Sequence, residues 1–151
     1  KNDIKHKEQK ETYQKDVMLK HRTLLLQKIE ATKAEQSDLR KKLTATQKAT
    51  LDKELYNDLL HFNDPVFFFS QMDAVLNNLV TKLKERYPKT SDRQTSWCCL
   101  FLLNIPTTDI LLLLNYKVEG YDKMKQRLAA KLGIQQASEL SAFLHSFLAE
   151  D

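Results

Sequence analysis

Glycine and proline are nearly missing from this chain of 151 residues, which has two of the first and three of the second. Sheets need tight turns, and tight turns lean on these two residues. Their scarcity therefore excludes a β-rich fold and predicts an all-α one. Long hydrophobic runs are missing as well. The best stretch, WCCLFLLNIPTTDILLLL, is interrupted by Asn104, Pro106, Thr107, Thr108 and Asp109. It falls short of the roughly 18 apolar residues that cross a bilayer. There is no glycine-rich phosphate cradle. The histidines, His6, His21, His61 and His145, have no carboxylate, thiol or hydroxyl at a catalytic or metal-ligating spacing. No enzyme, cofactor or metal is expected. Cysteine is limited to Cys98 and Cys99, adjacent and inside an apolar run. Neighbours in sequence do not readily bond to each other, so both are expected as buried thiols in a reducing cytoplasm.

What remains is charge and helix-forming residues. The net charge is +4, but its distribution is uneven: five basic side chains face two acidic ones between 117 and 131, whereas 132–151 is acidic. The opening KNDIKHKEQK is lysine-rich and is no signal peptide. It suits either the cytoplasmic exit of a transmembrane helix or a solvated helix end. The chain opens on Lys1 rather than methionine, and it is expected to be a piece of a longer protein.

Residues 1–62 read as one long helix. From Asn2 to His61 neither glycine nor proline occurs, and Lys, Glu, Gln, Leu and Ala dominate. A heptad frame with a at Met18, Leu25, Thr32, Leu39 and Thr46 and d at Arg22, Ile29, Gln36, Leu43 and Thr50 is apolar at half its positions. So polar a helix needs a partner. Pairing with a second copy in a parallel coiled coil is the expectation, with folding back onto the rest of the chain as the alternative.

Residues 63–88 read as a helical connector. Asp64 can cap a helix with Pro65 at its first position. The spacing of Val75, Leu76, Leu79, Val80, Leu83 and Tyr87 predicts a helix that Pro88 ends. Phe67, Phe68 and Phe69 are too many apolar side chains for one face. Residues 89–151 then predict four helices. Ser91 with Gln94 makes a capping box, Asn104 a left-handed stop, Thr107 a cap with Asp109 behind it, and Gly133 a second stop. The last helix lies within ASELSAFLHSFLAE.

PTTDILLLLNYKVEGYDKMKQRLAAKLGI, residues 106–134, resembles the DNA-binding domain of the LuxR/GerE family. That family's pattern is S-N-K-E-I-A-x-x-L-x-I-S-x-x-T-V-K-x-H-x-x-N-I-x-x-K-L-G-V. The match falls on Ile110, Leu114, Lys131, Leu132 and Gly133, with Asp109, Leu128 and Ile134 conservative. Upstream, LKERYPKTSDRQTSWCCLFLLNIP is similar to a bacterial subgroup that carries tetratricopeptide repeats, a transmembrane helix and a cytoplasmic coiled coil before this domain. The resemblance implies a helix-turn-helix of the winged-helix-like superfamily, DNA as partner, a homodimer through the long helix, and an upstream transmembrane sensor. It departs at Pro106, Lys117, Gly120, Asp122 and Met124, where the family has Ser, Ser, Thr, Lys and His. The histidine-kinase order H-E-x-R-T-P is not met by HRTLL at His21.

On the helix 118–132, Tyr121, Met124, Leu128 and Leu132 share an inward face, and Lys123, Gln126, Arg127 and Ala130 point outward. Gln126 and Arg127 suit base edges, while Lys117, Lys123 and Lys131 suit phosphates. Glu119 and Asp122 oppose that use. The expected function is the output module of a transcription regulator, cytoplasmic and membrane-anchored through its upstream region. The alternative is a degenerate helix-turn-helix that docks proteins or dimerises without DNA.

Overall fold

A computed structural model describes residues 2–150, with side chains from Asp16 onward. The lysine-rich opening, residues 1–10, therefore lies outside the described side chains. All regular structure among the described residues is helical.

Thr44 decides the shape of the N-terminal half. Its backbone is extended, its hydroxyl accepts from the Gln47 N–H at 3.2 Å, and the Gln47 side chain accepts from the Thr44 N–H at 3.0 Å. This capping box starts a new helix where one continuous helix was expected. The segment 2–61 is instead α1 (Asn2–Glu35), the short α2 (Ser37–Lys41) and α3 (Ala45–Leu60). Arg40 pairs with both carboxylate oxygens of Asp52, and the Lys33 ammonium lies over the Tyr56 ring, 5.4 Å from its centre. Leu25 and Leu60 line one groove. These pairings run in opposite directions along the chain, so α1 and α3 form an antiparallel hairpin. Part of the expected coiled-coil seam is occupied within the chain: Ile29 is buried, and Met18 and Leu25 pack against the same core, while Leu39 stays exposed.

α4 (Pro65–Val75) starts as expected, with the Asp64 carboxylate accepting from the Phe67 N–H at 3.3 Å. Phe68 and Phe69 turn inward, and Phe67 stays exposed. The helix expected across 74–87 is broken, because Asn77 and Asn78 both adopt left-handed backbone. Asp73 reaches across the break and accepts from Val80 N at 2.8 Å and from the Thr81 hydroxyl at 2.6 Å. That contact starts α5 (Leu79–Arg86).

The C-terminal part contains α6 (Asp92–Leu102), α7 (Thr107–Leu114), α8 (Val118–Lys131), a 3-10 turn at Ala137–Glu139 and α9 (Leu140–Ala149). Ser91 and Gln94 form the anticipated capping box. Asn104, Asn115 and Gly133 each end a helix in left-handed backbone. After each stop the next N–H returns to a carbonyl five residues back, as in Ile105 to Leu100 at 3.1 Å. Thr107 does not cap α7; Pro106 occupies the cap position and supplies no side-chain bond. From Gln94 to Leu100 every residue of α6 is buried, Trp97, Cys98 and Cys99 among them, with α5, α7 and α9 around it. The α1–α3 hairpin joins the same hydrophobic cluster, with α3 lying along α7.

Candidate nucleic-acid interface

α8 is held from behind by two buried rings. The Trp97 indole N–H donates to the Tyr121 hydroxyl at 2.9 Å, tying the first turn of α8 to α6. Tyr121, Met124, Leu128 and Leu132 are all buried, as their helical spacing predicts, together with Ala129. The turn before α8 is also fixed. Arg93 donates through Nε to the Leu114 carbonyl at 2.9 Å and through Nη2 to the Asn115 carbonyl at 2.8 Å. Its guanidinium lies 3.6 Å from the centre of the Tyr116 ring. Burial pushes the Tyr116 phenol above its ordinary value, and the Arg93 charge opposes that shift. Helix carbonyls that would stay unpaired at the end of α7 are thus satisfied by a cation.

With its inner face fixed, α8 turns the other face to solvent. Lys117, Lys123, Gln126, Arg127 and Lys131, the five residues expected to meet DNA, are all exposed. Glu119, Lys123, Arg127 and Lys131 follow one another at i, i+4 spacing, so they form a single row along the helix. Three of the four are cations, and the acid stands at the leading end. Lys123 and Arg127 make no ion pair among the described residues. Lys131 donates to the Gln94 side-chain oxygen at 2.8 Å, which anchors its ammonium at the end of the row. Asp122 meets Lys125 at 3.8 Å, and Lys125 lies over the Tyr121 ring. Its charge is answered on the flank of the helix, away from the cationic row.

Two departures from the family pattern leave local defects. Lys117 sits at the cap position with suitable extended backbone but makes no capping bond. Gly120 has ordinary helical backbone, and a Cβ there would meet only Tyr116, at 4.0 Å.

Several contributors are missing from the sequence reading. Arg93, Tyr116 and Trp97 position α8, yet they lie on other elements and carry no local signal. Lys33 and Tyr56, from the hairpin, converge on Asp109 in the first turn of α7, with Lys33 at 3.9 Å. Burial first, and then the Asp109 carboxylate, push the Tyr56 phenol well above its ordinary value. No group of three or more metal-ligating side chains occurs among the described residues. No family model matches the chain, and neither does any curated protein or solved structure.

Proposed function

We propose that this chain is the DNA-binding output unit of a transcription regulator, with α8 set into a major groove. The supporting observation is the exposed row Lys123, Arg127 and Lys131 on a helix whose opposite face is locked by Tyr121 and its neighbours. Gln126 and Arg127 reach base edges, while Lys117, Lys123 and Lys131 meet phosphates. Glu119 and Asp122 weaken the approach at the first turn beside Lys117, so Lys123, Gln126, Arg127 and Lys131 carry most of the contact. The LuxR/GerE resemblance adds the setting: a cytoplasmic unit joined upstream to a membrane-anchored sensor. A second copy pairing through α1 would have to use Leu19 and Leu24, which stay exposed, because Met18, Leu25 and Ile29 of the heptad seam pack within the chain.

Fluorescence anisotropy with mixed-sequence duplex DNA tests this reading. Binding should weaken as salt rises, and Lys123→Ala should reduce the slope of log affinity against log salt by about 0.9. Arg127→Ala should relax sequence preference as well. Equal affinity in the wild type and the Lys123→Ala/Arg127→Ala double variant at low salt overturns it. One observation favours the other reading, a docking module without DNA: Val66 is 81% exposed and Phe67 43%, an apolar patch beside the phenylalanine run. That reading expects no DNA binding even at low salt.

A further inference from the structure

Between α1 and α4 runs an open-sided groove of about 470 Å³. One wall is His21, Leu24, Leu25 and Lys28, a single face of α1 by spacing. Gln71, Ala74 and Val75 of α4 form the other, and Leu60, Met72 and Leu103 lie inside it. Leu24 is 57% exposed although it lines the groove, with Leu25, Leu59 and Leu60 beside it. A large apolar side chain is thus left in water beside an unfilled apolar floor of leucines, Met72 and Val75. Scattered exposed leucines need no explanation, but a contiguous set along one groove does.

We propose that this groove binds an amphipathic helix of a partner protein, one with two or three large apolar anchors and carboxylates beside them. The shape points to a helix. Two helical walls separated by an apolar trough match the helix-in-groove mode, whose anchors recur at i, i+3 or i+4, and i+7. The α1 wall spans about 10 Å, or two turns. Charge points to an acidic partner, because Lys28 is the only charged side chain among the groove's lining residues and no carboxylate joins it. The same charge argues against a second copy. A two-fold pairing of this face brings two Lys28 ammonium groups to one apolar trough with no carboxylate among its lining residues. The chain's own acidic end offers no occupant either, since the exposed side of α9 carries Ser141, Ala142, His145 and Ser146. This inference stands whether or not α8 binds DNA.

The test uses the full chain and fluorescein-labelled helical peptides with leucine at i, i+3 and i+7. One peptide carries glutamates at its flanking positions, and a second carries lysines there. The acidic peptide should bind, and the lysine peptide should bind at least roughly tenfold more weakly. Leu24→Glu and Lys28→Glu should each weaken the acidic peptide roughly tenfold or more. Both residues are exposed, so circular dichroism should report an unchanged fold. Equal binding of both peptides, no binding of either, or indifference to Leu24→Glu overturns the proposal. So does a concentration-dependent dimer in sedimentation that Leu24→Glu abolishes, because the occupant is then a second copy.

Discussion

Gly120 and Lys117 are the two places where α8 departs from good helix chemistry, and neither departure is required by packing. A Cβ at Gly120 meets nothing closer than 4.0 Å, and its backbone is not left-handed. Gly120→Ala should therefore stabilise the fold by about 1 kcal/mol. Lys117 already has cap geometry, so Lys117→Ser should add about 0.5–2 kcal/mol by accepting an N–H at the start of α8. Denaturant midpoints would rise for both; a fall for Gly120→Ala would mean that the helix start is strained in a way its backbone does not record. The thiols make a separate prediction. Burial pushes Cys98 up to about 12 and raises Cys99 well above its ordinary value. The unfolded chain then loses these protons first as pH rises, so the folded state binds more protons and stability falls with pH. The contribution is complete below about pH 9 and is lost progressively towards about 12. Thermal melts between pH 7 and 11 should show the decline. Cys98→Ala should flatten it, and an unchanged profile in that variant would remove the thiol from the account.

At the level of elements, the local signals decide well and the distant ones do not. The caps at Asp64 and Ser91 and the stops at Asn104 and Gly133 are legible because each works within about five residues. The inward face of α8 is legible for the same reason, since one helical period sets it. Thr44 with Gln47 is the same kind of signal, but helix-forming residues on both sides hide it, and local propensity alone carries the helix through. The hairpin becomes favourable only when Ile29, Tyr56 and Leu60 find the core, alongside distant contacts such as Lys33 with Asp109. The break at Asn77 and Asn78 depends on Asp73 reaching forward seven residues, beyond any capping pattern. The hairpin has a direct consequence. In one continuous helix, spin labels replacing Thr23 and Asp58 would sit about 50 Å apart. Here their neighbours Leu24 and Leu59 line the same groove, so pulsed electron resonance should find them at less than about half that separation. A distance near 50 Å would restore the single long helix.

For the whole molecule, the question is whether residues 89–151 are a unit that the hairpin merely carries. The hydrophobic cluster runs without a gap from Ile29 through Tyr56 and Leu60 to α6, α7 and α9. α7 is apolar on nearly every side, and α3 lies along it. On its far flank, α5 clasps the end of α9: Lys82 donates to the Phe147 carbonyl at 3.1 Å, the Asn77 amide donates to Leu148 at 2.9 Å, and Arg86 pairs with Glu150. A fragment starting at Lys89 loses both supports. Uncovering even two leucine side chains of α7 costs about 3–6 kcal/mol at 1.5–3 kcal/mol each. Domains are stable by only about 5–15 kcal/mol. The fragment 89–151 should accordingly lose cooperative unfolding and the fixed near-ultraviolet signal of Trp97, whereas the intact chain keeps both. A cooperative melt of the fragment at the temperature of the intact chain would make the four C-terminal helices autonomous. The hairpin would then be an attachment and not part of the core that positions α8. If the fragment fails, DNA binding and hairpin stability become one property, and Thr44→Ala, about 1 kcal/mol from a capping box some 75 residues away, should weaken both together.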